Sequence, residues 1–196
     1  RLKHEAAVAL RMTDRGYRAR AANVWASGAD GVYLFNFFEP HSPRWRELGD
    51  PRMLARLDKD YFASFRGVGI AAGGNLPFPG YQTIETLNPT RPNIIAPGEK
   101  AVARLLVGED PRAVDDIALV LRLQFGAVSE RLPIAVSLNG KVLTPRQSEE
   151  GWLECLPTSA DVRLGLNVVE VSLGASATKP MKWLDLMLTV RHRASP

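Results

Sequence analysis

The 196-residue chain has a single cysteine, Cys155, so no disulfide framework can form within it. Its three histidines are far apart and show no His-x-x-x-His spacing, so the sequence predicts no metal site. No apolar stretch approaches the roughly 20 residues that span a bilayer. The N-terminus also lacks the apolar region of a secretory signal peptide. The sequence therefore predicts no membrane span, and it leaves the compartment undetermined.

Motifs of common catalytic and nucleotide-binding classes are also missing. There is no Gly-x-Ser-x-Gly nucleophile elbow. Gly67 and Gly69 are followed by Ala72, not by the third glycine of a dinucleotide-binding loop. The formal net charge of +4 is modest, and Glu5 and Asp14 interrupt the densest run of basic residues. A solvated helix face explains that run, so we expect neither a cofactor nor a nucleic-acid partner.

The first third of the chain predicts a helix, a strand and a second helix. A helix is expected over residues 13–27, capped by Thr13 or Asp14 and ended by Gly28. Residues 32–38 are apolar on both faces, which is typical of a strand in a covered parallel sheet. A second helix is expected over residues 52–65. The apolar faces of the two helices are Tyr17, Ala21, Val24 and Trp25, and Met53, Leu54, Leu57, Tyr61 and Phe65.

After a segment rich in glycine and proline, residues 66–100, the pattern changes to alternation with period two. Strands are expected over residues 116–125, 134–138, 152–156, 166–173 and 183–191. Asn139 and Gly140 predict a hairpin turn. In the last strand the inward residues are expected to be Leu184, Leu186, Leu188 and Val190. The fold class predicted is mainly β, with residues 1–75 as the helix–strand–helix segment and residues 76–196 as a linker and an antiparallel β-sandwich.

Residues 18–38, RARAANVWASGADGVYLFNFF, resemble the last helix and strand of the (β/α)8 barrels in glycoside-hydrolase-like bacterial proteins. Residues 54–61, LARLDKDY, resemble the closing helix of such a barrel. The resemblance implies that the remainder of a barrel domain lies upstream, since a whole barrel needs about 250 residues. It also implies that the paired catalytic carboxylates lie upstream, so the catalytic residues are unknown.

Residues 136–143, VSLNGKVL, and 164–171, LGLNVVEV, resemble galactose-binding-like β-sandwich modules, also described as jelly-roll-like. Such modules often lie beside glycosidase barrels. Together the two resemblances imply the C-terminal portion of a carbohydrate-active protein with a saccharide ligand, and an extracytoplasmic location would fit that activity. The alternatives are a non-catalytic carbohydrate-binding module and a purely structural sandwich.

The candidate substrate-binding residues follow from the barrel resemblance, because such active sites form at the C-terminal ends of the strands. They are Asn36, Glu39, His41 and Trp45. The competing interpretation is that these residues are solvated or pack under their loop. Trp152 and Trp183 are candidates for stacking on a glycan, but tryptophan in a small sandwich is more often part of the core.

Overall fold

The computed structural model describes residues 13–34, 39–63, 87, 92–126, 133–148 and 152–192. These residues form three α-helices, a short 3-10 turn at Pro111–Ala113 and ten strands. The helices are α1 (Asp14–Ala26), α2 (Arg44–Gly49) and α3 (Pro51–Leu54). The strands are β1 (Lys59–Phe62), β2 (Asn93–Ile95), β3 (Lys100–Val107), β4 (Ile117–Phe125), β5 (Ile134–Leu138), β6 (Lys141–Leu143), β7 (Arg146–Gln147), β8 (Trp152–Cys155), β9 (Gly165–Leu173) and β10 (Met181–His192). No helix in these ranges is long and apolar enough to cross a membrane.

The strands pair antiparallel in two sheets, which confirms the mainly β, antiparallel prediction. One sheet has the order β1-β10-β4-β8-β7, with β2 also paired to β10, and the other has the order β3-β9-β5-β6. Alternate side chains of each sheet point into a shared apolar core, as in a sandwich. Leu121 of β4 faces Leu188 of β10, for example, and both are buried.

The strands predicted from alternation are present. Along β4, Leu119, Leu121 and Leu123 are buried and the intervening residues are half-buried. The hairpin between β5 and β6 turns at Asn139 and Gly140, whose φ angles are +52° and +86°. Both residue types tolerate positive φ, which is why the sequence signal was reliable here.

Two predictions in this region need correction. A bulge between Trp183 and Asp185 shifts the register of β10 against β4. Trp183 therefore points inward, while Leu184, which was expected there, is only half-buried. The segment Asn93–Ile95 was placed in a linker, yet it forms β2 on the edge of β10. Three residues are too few for alternation to reveal a strand.

The helix predicted over residues 13–27 is confirmed as α1. The Thr13 side chain accepts a hydrogen bond from the Gly16 N–H at 3.2 Å, and Gly28 has a φ of +85°. The strand predicted over residues 32–38 is not formed by residues 32–34, and the other four lie outside the described residues. A strand that is apolar on both faces needs neighbours on both edges, and none of the described strands pairs with residues 32–34.

The helix predicted over residues 52–65 is wrong for most of its length. The helix α3 ends at Leu54, and Lys59–Phe62 forms β1 on the edge of β10, with Tyr61 opposite Leu188. The edge of β10 supplies backbone hydrogen bonds and an apolar face, which outweigh the weak helical spacing. The predicted boundary between residues 75 and 76 lies outside the described residues.

Candidate functional site

The helix α1 closes one side of the sandwich, where it contacts β1 and β3, the edge strands of the two sheets. The contact is made through small side chains, since Ala19, Ala21 and Ala22 are buried. At Gly108, just after β3, a Cβ atom would lie 2.5 Å from the Ala22 carbonyl oxygen and closer still to neighbouring backbone atoms. Only glycine permits this approach. Val24, which was predicted to face the core, is 36% exposed because the alanines occupy the contact.

Beneath this helix lies a buried polar cluster formed by Lys59, Tyr61, Glu109 and His192. The Lys59 Nζ donates to the Leu57 carbonyl at 2.8 Å and to Glu109 Oε2 at 3.0 Å, and it lies 3.4 Å from His192 Nε2. The Tyr61 hydroxyl donates to Glu109 Oε1 at 2.8 Å. The Lys59 side chain is 1% exposed and that of Glu109 is 11% exposed. The cluster thus holds β1, β10 and the segment after β3 together.

Burial and mutual contact shift the titration of three of these groups. Burial lowers the pKa of Lys59, against the opposing effect of the Glu109 charge. Burial alone would raise the pKa of Glu109, but hydrogen bonding with His192, Lys59 and Tyr61 and the charge of Lys59 outweigh it, so this pKa is lowered. Burial and the neighbouring Glu109 charge raise the pKa of Tyr61 well above its ordinary value. Lys59 and Glu109 form a close ion pair, with Nζ and Oε2 3.0 Å apart.

Two further ion pairs connect α1 to the same region. Arg18 binds Glu47 of α2 through two hydrogen bonds of 2.8 and 2.9 Å, and Arg15 binds Asp58 at 3.0 Å. The other oxygen of Asp58 accepts the His192 backbone N–H at 3.0 Å. These polar groups contact one another where α1 meets α2, β1 and the end of β10, so they hold these elements together. Within the described ranges, no three His, Cys, Asp or Glu side chains are grouped to hold a metal ion.

Sequence reasoning did not identify this cluster. Lys59 and His192 are 133 positions apart, and Lys59 was assigned to a helix. No local motif links the four residues, because they meet only through strand pairing. A single lysine, glutamate and histidine that lie far apart in the sequence form no motif, so the sequence alone does not indicate the cluster.

The substrate-binding residues predicted from the barrel resemblance are partly brought together. Asn36 lies outside the described residues. The Trp45 indole Nε1 donates to the Glu39 backbone carbonyl at 2.7 Å, and the Trp45 side chain remains 45% exposed. His41 is exposed in the same loop. The structure thus places Glu39 and His41 on a surface loop and Trp45 just after it, in the first turn of α2, with its ring fixed against the loop.

Arg44, the first residue of α2, fastens the end of this loop to the start of α1. Its guanidinium donates to Asp14 Oδ1 at 2.6 Å and lies 4.8 Å above the centre of the Tyr17 ring. It also lies 3.7 Å from Glu39 Oε2. The charge of Arg44 is therefore balanced by two carboxylates, and the orientation of the loop depends on α1.

The two tryptophans of the sandwich differ in exposure. Trp152 is half-buried in β8, opposite Gln124. Trp183 is fully buried; its indole Nε1 donates to the Asp185 carbonyl at 3.0 Å, and its ring centre lies 6.4 Å from that of Phe125. A ring without exposed surface cannot stack on a sugar in this conformation, which favours the core interpretation for Trp183.

No protein-family model matches the chain, and no curated protein matches it. Among solved structures the chain is similar to BpGH86A, a beta-porphyranase of glycoside hydrolase family 86 from the human gut bacterium Bacteroides plebeius. The identity is 14%, the match covers 70% of this chain and 21% of that chain, and the TM-score is 0.42. The chain therefore spans about a fifth of that protein's length. A TM-score this low decides neither fold nor function.

Proposed function

We propose that the chain is the C-terminal portion of a carbohydrate-active, glycoside-hydrolase-like protein in which the sandwich is an ancillary module bracing the preceding helical segment. The sequence resemblance of residues 18–38 to the end of a barrel supports the carbohydrate-active part. In this proposal the remaining barrel, with its catalytic carboxylates, lies upstream. The galactose-binding-like type of the sandwich and the division between residues 75 and 76 belong to the same proposal.

The observation that carries the bracing role is the junction at Gly108. The backbone of α1 is so close to the segment after β3 that no side chain fits between them. Directly below, the Lys59–Glu109 ion pair joins β1 to that same segment. A helix of 13 residues is marginal in water without packing against other elements. The sandwich therefore supplies most of the stability of α1.

The experiment uses the protein with its natural upstream sequence. Hydrolysis of a panel of aryl glycosides tests the carbohydrate-active part, and activity on at least one member is expected. Removal of residues 96–196, which include β10, tests the bracing role. We expect the remaining protein to melt at a lower temperature because β1 loses its partner strand. Inactivity of the folded protein on the whole panel would contradict the first part, and an unchanged melting temperature would contradict the second.

A second candidate function is binding of a saccharide without catalysis. The half-exposed ring of Trp45, fixed by its bond to the Glu39 carbonyl, is the observation that favours it. Asn36 and His41 belong to this proposal, and Trp152 is a separate stacking candidate. In affinity electrophoresis, retardation by a polysaccharide should disappear in Trp45→Ala or Trp152→Ala.

The matched control for these variants is Val142→Ala, since Val142 is 73% exposed and apolar but has no aromatic face. That control should be retarded as strongly as the unmodified protein. Absence of retardation by every polysaccharide tried would leave the bracing role as the function of the module.

A further inference from the structure

Asn139 is the one asparagine in the chain that is followed by glycine. An asparagine–glycine pair is prone to spontaneous deamidation, because glycine has no side chain to shield its backbone nitrogen from the neighbouring amide. In that reaction the Gly140 nitrogen gives its proton to hydroxide and attacks the Asn139 Cγ atom. The bond between Cγ and Nδ2 breaks, and Nδ2 takes a proton from water and leaves as ammonia. Water then opens the cyclic imide to aspartate or isoaspartate.

In the folded sandwich the Asn139 side chain is held against β9 and the segment after β8. Its Nδ2 group donates to the Asp161 carbonyl and to Asn167 Oδ1, both at 2.8 Å. Its Oδ1 atom accepts the Val168 N–H at 3.0 Å. Because Nδ2 contacts two oxygens and Oδ1 contacts a nitrogen, the partners fix the orientation of the amide. Its Cγ atom is therefore not free to turn toward the Gly140 nitrogen.

The hairpin turn adds a restraint on the backbone. Asn139 has a φ of +52°, and Leu138 pairs with Lys141 across the turn. Closing the imide requires rotation about the bond between Cα and the carbonyl carbon of Asn139, which brings the Gly140 nitrogen to Cγ. That rotation destroys the conformation that the two-residue turn needs. The reaction at Asn139 therefore requires local opening of the hairpin between β5 and β6.

Asn167 is the side-chain partner that restrains the reacting amide, and it is itself firmly placed. It is fully buried in β9. Its Oδ1 atom accepts the Arg163 N–H at 3.0 Å, and its Nδ2 group donates to the carbonyls of Arg163 and Gly165 at 2.8 and 3.1 Å. These contacts hold Asn167 independently of Asn139, so it is a rigid acceptor for the Asn139 amide.

We infer that Asn139 is a latent deamidation site, which the folded sandwich protects through Asn167 and which reacts when the hairpin opens. Conversion to aspartate replaces an amide that donates with a carboxylate that only accepts. A carboxylate oxygen would then face the Asp161 carbonyl and Asn167 Oδ1, which are both acceptors. The modified turn cannot regain these contacts, so the reaction weakens this end of the sandwich irreversibly. The inference does not require that the protein act on carbohydrate.

Peptide mapping by mass spectrometry measures conversion of Asn139 in the full chain under mildly alkaline conditions. In the folded protein the conversion should be about a hundredfold slower than in the protein unfolded in guanidinium chloride, since the hydrogen bonds of the side chain must open first. This comparison needs no variant. Equal rates in the folded and the unfolded protein would overturn the inference.

A substitution tests the part played by Asn167. Asn167→Leu removes an acceptor of the Asn139 amide, whereas the matched control Leu123→Ala lowers stability from the other sheet, where Leu123 is buried in β4. Both variants unfold globally more often, so only the difference between their rates reports the local contact. Folded Asn167→Leu should convert about tenfold faster than folded Leu123→Ala. Equal rates would overturn the protection by Asn167, and neither experiment affects the bracing role.

Discussion

The close approach of α1 to Gly108 makes Gly108→Ala the most informative single substitution. The added Cβ would lie 2.5 Å from the Ala22 carbonyl oxygen, whereas ordinary contacts begin at 3.4 Å. The obstructing atoms are backbone, so no side-chain rotation relieves the overlap. The helix must move away by about 1 Å, which forfeits a large part of the contact energy of the alanine face.

We expect Gly108→Ala to lower the free energy of unfolding, whereas the same substitution at an unobstructed glycine raises it. Gly108 has an ordinary φ, and Gly→Ala at such a position normally stabilises by about 0.4 to 1 kcal/mol through the unfolded chain. Forced overpacking instead costs about 3 kcal/mol when the neighbour cannot rearrange. For a chain of this size that corresponds to a fall in melting temperature of about 6 to 12 °C.

Differential scanning calorimetry measures the shift, with Gly49→Ala as the matched control. A Cβ at Gly49 meets nothing within 4 Å, so that variant should melt at the original temperature or slightly above it. Hydrogen exchange should localise the damage in Gly108→Ala to α1. A melting temperature of Gly108→Ala equal to or above that of Gly49→Ala would refute the reasoning.

Four further outcomes are expected. Glu109→Gln leaves the buried Lys59 ammonium without its counter-charge and should cost about 3 to 5 kcal/mol in urea unfolding, whereas Glu170→Gln, in an exposed pair, should cost about 1 kcal/mol at most. The pKa of Glu109 is lower in the folded state than in the unfolded state, so ionised Glu109 stabilises the fold at pH values above the unfolded-state pKa. This contribution to the free energy of unfolding is lost as the pH falls through the folded-state pKa. Acid titration of Glu109→Gln should lack that loss. Asn167→Leu removes four internal hydrogen bonds from a fully buried side chain and should lower stability by about 3 kcal/mol, again by urea unfolding. Burial raises the pKa of Cys155 to about 11, so iodoacetamide should label it, as followed by mass spectrometry, only after unfolding; rapid labelling of the native protein would contradict its burial.

The strands β4, β5, β8, β9 and β10 were predictable because their signals are local, whereas β1 and β2 were not predicted. Alternation along β4 reports one buried face, and Asn139 with Gly140 reports the turn between β5 and β6. The cap at Thr13 and the end at Gly28 were equally local to α1. Where the physical cause of an element lies within a few residues, the sequence alone identified it.

The helix predicted over residues 52–65 failed for the complementary reason. Its apolar residues have helical spacing, but only Tyr61 of them falls in β1, where it is buried two positions from the buried Lys59. An assignment of buried faces from sequence alone places lysine outside, since lysine is almost never buried unless it is paired. The partner that permits the burial, Glu109, is 50 positions away.

Separation along the sequence also explains why one part of the candidate site could be predicted and the other could not. Glu39 and Trp45 lie six positions apart, in a loop and in the first turn of α2, so a family resemblance could point to both. The cluster around Lys59 exists only after β1 and β10 have paired and the segment after β3 has packed beneath α1. Its residues are polar and would each be assigned to the surface by composition. A polar side chain that is buried and fully matched with partners is therefore where this fold departs most from its sequence pattern, and Glu109→Gln tests that point.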